Sequence, residues 1–275
     1  MTYVRPALLA LALAAPAAAL AGDGPIQDNS FLLEEAYNQE PGVIQHISAF
    51  NRSASAPNGW GYTFTEEWPV RGQTHQASVT LAFTGQGASG DTGLGDVLLN
   101  YRWQAVGSGE EAVAFAPRLS AALPTGDEKK AFGAGAVGIE VNLPLSVVLA
   151  PKLVTHVNLG GRYTPSATVA TRKADLSTWF FGQSFIWLAH PNLNVMLEAI
   201  YSSTDVRFDG VSGRGETLFV NPGLRAAIDV GDLQIVPGLA FPIGVGPSRG
   251  EKAVFLYLSF EHPFALAGPT EPEER

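Results

Sequence analysis

Residues 137–146 read VGIEVNLPLS. Val137, Ile139, Val141, Leu143 and Leu145 take the odd positions, and Gly138, Glu140, Asn142, Pro144 and Ser146 take the even ones. Successive side chains of a strand point to opposite faces, so this is a strand with one apolar and one polar side. In a soluble sheet the apolar side covers a core. In a membrane barrel it meets lipid, and Glu140 is enclosed. The choice between those two decides the fold.

The same period recurs along the chain. His75, Ala77, Val79, Leu81 and Phe83 share one face of HQASVTLAF. Val97, Leu99, Tyr101 and Trp103 stand opposite Asp96, Asn100 and Arg102; Val113, Phe115, Leu119 and Leu123 stand opposite Arg118. Leu153, Val157, Leu159 and Tyr163 stand opposite Lys152, His156, Asn158 and Arg162; Val195, Leu197 and Tyr201 stand opposite Glu198. Twelve segments have strand character: 43–51, 60–68, 75–84, 94–104, 112–123, 137–145, 149–163, 176–188, 193–202, 216–229, 233–243 and 253–264. Their lengths lie near the ~10 residues of a tilted spanning strand. The faces of the first segment and of STWFFGQSFIWL are irregular.

Connectors between these segments alternate long and short, with 164–175 and 203–215 among the long ones. An up-and-down membrane barrel has this signature, with both chain ends on the periplasmic side, short periplasmic turns and long extracellular loops. Aromatic residues sort by height. Trp60, Phe83, Tyr163, Trp179 and Tyr201 fall at the outer ends of their segments, and Trp68, Trp103, Trp187 and Phe264 at the inner ends. Two belts of that kind mark the lipid–water boundaries.

Charge placement favours lipid outside. Asp96, Arg102, Arg118, Glu140, Lys152, Arg162, Glu198, Arg225, Asp229 and Glu261 lie on polar faces, five of each sign; Glu66 is the exception on an apolar face. A charge on the lipid face costs ~2–4 kcal/mol at mid-membrane, whereas opposite charges pair inside a closed wall. The predicted fold is therefore an all-β transmembrane antiparallel barrel of about twelve strands over 43–264. Its expected lumen lining is Asp96, Asn100, Arg102, Arg118, Glu140, Lys152, His156, Arg162, Glu198 and Arg225. Selectivity is expected from Arg102, Arg118, Lys152 and Arg162 facing Glu140 and Glu198, acting by charge and size.

Composition agrees. Charged residues make up 16% of the 275-residue chain, below the ~25% of soluble domains. With no Cys, thiolate catalysis and Cys-ligated metals are excluded. Residues 1–21 have Arg5, an apolar run from Ala7 to Ala15, and Ala19-Leu20-Ala21 before Gly22: a cleavable secretory signal. Losing Arg5 takes the net charge from −9 to −10, unfavourable for nucleic acid. Residues 265–275 read as a disordered acidic tail. Residues 22–42 carry Glu34, Glu35 and Glu40, and two uses fit them: a periplasmic leader, or a short plug pairing with lumen arginines.

Other patterns mislead. GAGAVG (133–138) fits G-x-G-x-x-G but precedes a strand instead of opening a helix. GPSRG (246–250) fits the hydrolase elbow yet lies between strands. The five histidines show no metal spacing, so neither metal nor cofactor is expected.

Three stretches carry a resemblance: NSFLLEEAYNQEPGVIQH (29–46), GLGD (93–96) before an alternating strand, and LPTGDEKK (123–130) before a Gly-rich loop. Here the chain resembles an outer-membrane transporter family associated with a meta-cleavage pathway of phenol degradation. The resemblance implies an outer-membrane barrel passing small organic molecules, and it assigns no binding residue. Expected partners are outer-membrane lipids, lipopolysaccharide, the barrel-assembly machinery and a small organic solute. A lipid-modifying enzyme and a non-conducting structural barrel remain alternatives.

Overall fold

The computed structural model describes residues 30–109, 111–230 and 233–263. The expected signal segment 1–21, residues 22–29 of the expected leader or plug, Phe264 and the expected tail 265–275 lie outside the described residues.

Sixteen hydrogen-bonded runs form one antiparallel sheet: β1 Val43–Ser53, β2 Trp60–Arg71, β3 His75–Gly85, β4 Thr92–Leu94, β5 Val97–Trp103, β6 Val113–Phe115, β7 Arg118–Leu123, β8 Gly138–Ala150, β9 Leu153–Val169, β10 Arg172–His190, β11 Leu193–Phe208, β12 Val211–Ala226, β13 Ile228–Val230, β14 Leu233–Ala240, β15 Ile243–Gly244 and β16 Ala253–Pro263. Four pairs of runs (β4/β5, β6/β7, β12/β13 and β14/β15) are single wall strands broken by a short irregularity, which leaves twelve. β1 pairs with β16 from Val43↔Pro263 to Ser53↔Ala253, so the sheet closes on itself and has no free edge.

Polarity is inverted relative to a soluble barrel. In β8, Glu140 is 5% exposed and Val141 is 43% exposed, and the alternation runs from Gly138 to Pro144. Leu119, Leu159, Phe185, Leu197 and Leu256 are likewise exposed on the outside, while Ser120, Asn158, Ser184, Glu198 and Ser259 are buried within. A continuous apolar exterior of this extent is incompatible with water and matches hydrocarbon. Trp60, Trp68, Phe83, Trp103, Tyr163, Trp179, Trp187 and Tyr201 all lie on the outer face. Neighbouring rings touch there, as in Trp179–Tyr201 with centroids 5.1 Å apart and Phe50–Trp60 at 6.0 Å. The irregular stretch in β10 resolves the same way: Trp179, Phe181, Phe185 and Trp187 point out, and Phe180, Ser184 and Ile186 point in.

We call the rim with Val43 and Pro263 the near rim and the opposite one the far rim. On the far rim the structure departs from expectation. The stretches 164–175 and 203–215, which look like long loops, are mostly strand, and the turns are Ala170 with Thr171 and Asp209 with Gly210. Tyr163, Trp179 and Tyr201 therefore lie part-way along their strands. Beyond them the outward face is polar: Arg214 makes a two-pronged bond to Asp205 (2.7 and 3.2 Å), and Tyr201 donates to Glu216 (2.8 Å). Once both faces are wet, apolar alternation no longer marks a strand. The Ala170–Thr171 turn has two positive φ angles (47° and 73°) without Gly or Asn, so it too carries no turn signature.

Candidate lumen site

Inside the near half of the barrel lies the chain's own N-terminal segment. Every residue from 30 to 39 except Leu32 is buried, and the segment belongs to no strand. Its backbone groups must then be satisfied by something else, and side chains of the wall do so. Glu198 accepts the N–H groups of Phe31 and Leu32 (2.9 and 3.0 Å). Asn158 accepts the Glu34 N–H (2.8 Å) and donates to the Glu34 carbonyl (2.7 Å). Ser146 accepts from Ala36 N–H (2.8 Å). Gln104 accepts from Asn38 N–H (2.8 Å) and donates to the Ala36 carbonyl (2.7 Å), and Gln76 accepts from Gln39 N–H (2.7 Å). Each such bond contributes about 0.5–1.5 kcal/mol, more where the acceptor is charged.

Two arginines bind the middle of the segment. Arg118 meets both oxygens of Glu34, Nε at 3.0 Å and Nη2 at 2.6 Å. Its Nη2 also reaches Glu140 at 2.7 Å, and its Nη1 donates to Asn100 at 3.0 Å and to Ser120. Arg102 donates to the Asn38 side chain (2.8 Å), to the carbonyls of Glu35 and Tyr37, and to Gln76 (3.4 Å); it lies 3.5 Å from the Glu35 carboxylate.

The opposite end of the segment is apolar. Phe31 packs with Ile47, Ile186, Met196, Val236, Phe255 and Tyr257. Its ring meets Phe255 and Tyr257 edge-on at 5.7 and 6.2 Å. The Arg225 guanidinium lies 4.9 Å from the Phe31 ring centre and 3.6 Å from that of Tyr257, and Arg225 donates to the Ser30 carbonyl. Wall glycines make room. A Cβ on Gly238 would come within 2.7 Å of the Phe31 ring, and one on Gly182 within 2.3 Å of Leu33.

The residues expected in the lumen fall into three groups. Arg102, Arg118, Asn100, Glu140, His156, Glu198 and Arg225 face inward on the enclosed wall and, apart from half-buried Asn100, are buried. His156 bonds Ser146 through Nδ1 (2.7 Å) and meets Tyr37 edge-on. Arg162 is half-buried opposite Glu140 in the β8–β9 register, on the far side of the segment. The other two are placed elsewhere. Lys152 does not line the lumen: β8 and β9 pair down to Ala150↔Leu153, which leaves Pro151 and Lys152 as an exposed two-residue turn on the near rim. Asp96 is buried, but its carboxylate is used to fix a loop, accepting the N–H groups of Gly126 (3.1 Å) and Ala134 (2.8 Å). Gln76, Gln104, Ser146, Asn158, Ser184 and Asn221 are wall residues that a search for charges passes over. Their signal was only their place on polar faces. Ser248, in the hydrolase-like pattern, is buried and accepts the Leu218 N–H (3.2 Å).

No family model matches the chain, and no curated protein does. Among solved structures, an outer membrane channel from Pseudomonas putida F1 matches with a TM-score of 0.63 at 12% identity, over 83% of this chain and 98% of that one. The NanC porin matches with a TM-score of 0.51 at 8% identity, over 81% of this chain and all of that one, 100%. At such identities the likeness concerns the fold. The chain is a transmembrane antiparallel β-barrel of the outer-membrane type, with twelve wall strands.

Proposed function

We propose that this protein is an outer-membrane channel for small organic solutes, working passively through a polar lumen that residues 30–40 narrow. The observation that carries the proposal is the enclosed wall of fixed polar groups. Where residues 30–40 give way, Arg102, Arg118, Glu140, His156 and Arg162 line a path that discriminates by charge and size, as pore linings do. The resemblance of 29–46, 93–96 and 123–130 to the phenol-pathway transporter family supports organic molecules as the cargo class. On this proposal the near rim is periplasmic, residues 1–21 are cleaved, the apolar belt contacts lipid and lipopolysaccharide, and the last strand is read by the assembly machinery.

The filled near half of the lumen favours one rival, a barrel that does not conduct. Liposome swelling with solutes of graded size separates the two. Neutral solutes of a few carbons should enter faster than in protein-free liposomes, with a cut-off as size grows. Swelling no faster than the blank at every size would refute the channel.

A further inference from the structure

The contacts of residues 34 and 35 go further than narrowing a pore. We infer that Arg118, with Arg102 beside it, is a binding site for a small organic monocarboxylate, and that Glu34 fills it when no solute is present. This deepens the channel proposal and rests on it.

Three observations on the wall carry the inference. The first is geometry. One edge of the Arg118 guanidinium meets both oxygens of Glu34, at 3.0 and 2.6 Å. That fork recognises a planar carboxylate and ignores what is attached to it. The second is preorganisation. Arg118 is also held by the wall, through Asn100, Ser120 and Glu140, so its guanidinium keeps its orientation when Glu34 leaves. Arg102 differs: apart from Gln76, its bonds go to the segment itself, to Asn38, Glu35 and Tyr37. Departure of the segment uncovers both guanidinium groups on one stretch of wall. The third is attachment. The bonds described above between residues 30–39 and the wall are made by side chains, and none belongs to a strand ladder. The segment can withdraw without unzipping the barrel.

The same surroundings set the ligand's charge. Glu140 stays 2.7 Å from Arg118 Nη2, and buried Glu67 stays in the wall nearby. The segment takes two carboxylates with it, Glu34 from Arg118 and Glu35 from Arg102, and leaves the two arginines facing Glu140 and Glu67; a monocarboxylate answers the Arg118 fork that Glu34 vacates. Glu34 is tethered, and a tethered group competes at an effective concentration in the millimolar range, so a free acid displaces it at millimolar concentrations or above.

The absence of cysteine makes displacement measurable. Leu33→Cys places a single thiol on the segment at a position that is 1% exposed. In the full-length protein in liposomes, labelling by a water-soluble maleimide should be slow. Millimolar propionate should speed it about tenfold, the equivalent of one charge-assisted hydrogen bond lost, while its neutral isostere propionamide should not. In the Arg118→Gln background the propionate effect should vanish. Ser30→Cys, a closer match in size, serves as a second reporter, and heat-modifiable gel mobility checks that each variant is folded. Equal rates in propionate and propionamide would overturn the site, as would a propionate effect that survives Arg118→Gln. The channel proposal fails separately: liposomes that do not swell while labelling still responds to propionate would remove conduction and leave the site.

Discussion

Phe31 and Glu34 are three residues apart on one buried segment, and the wall receives them differently. Around Phe31 the fit is one of shape: aromatic and aliphatic side chains surround the ring, and Gly238 gives it space. Around Glu34 the fit is one of bonds, with its carboxylate in the fork of Arg118 and its backbone paired to Asn158. The apolar end is held by burial, which tolerates small shifts. The charged end is held by partners that must all be present, because a charge left alone inside costs far more than the pair returns. A fit of shape that yields a little at the first end, and a fit of bonds that holds only while every charge has a partner at the second, are the lesson of the comparison.

The largest expected effect tests the charged end. Arg118→Ala leaves Glu34 and Glu140 buried without their cation and should cost ~3–5 kcal/mol, read as a lower unfolding temperature by heat-modifiable mobility. Adding Glu34→Gln and Glu140→Gln should recover more than half of it, because no charge is then stranded. A loss below ~1 kcal/mol for the single change would mean the fork is dispensable.

Phe31→Ala should come next, at about 3 kcal/mol, from lost burial and the cavity it leaves. Neutralising carboxylates should not rescue it; recovery by Glu34→Gln would erase the distinction between the two ends. Gly238→Ala sharpens the same point from the wall. It should cost ~1–3 kcal/mol in the native background, where its methyl meets the Phe31 ring, and much less beside Phe31→Ala. Purely additive costs would show that the ring is not what Gly238 accommodates. Lys152→Ala should be the smallest, within ~0.5 kcal/mol and without change in ion selectivity, since its side chain is at an exposed turn. A clear selectivity change would return Lys152 to the conduction path.

Much of the barrel was legible because lipid and lumen impose opposite demands on alternate residues. Val141 and Glu140 report that contrast directly, and so do Leu197 and Glu198. Where the contrast fades, so does legibility. The far ends of β9 to β12 are wet on both faces, and Asp205, Arg214 and Glu216 there look like loop residues. Lys152 follows the alternation of its neighbours yet sits in a turn, because period two does not say where a hairpin ends. In the lumen, periodicity told which side chains point inward but not what they meet. That Arg118 meets Glu34, and that Asp96 spends its oxygens on Gly126 and Ala134, depends on contacts far apart in sequence that no local pattern encodes.

The long hairpins on the far rim make the mouth lopsided. Residues 172–178 continue past Trp179, and at ~3.3 Å per residue and a ~45° tilt they add roughly 16 Å of height. Their turns are two residues long, so this rise is a stiff parapet over one arc of the opening, while the arc around β1 to β3 ends in short irregular connections near the membrane. The opening on the far rim therefore has one walled arc and one low arc.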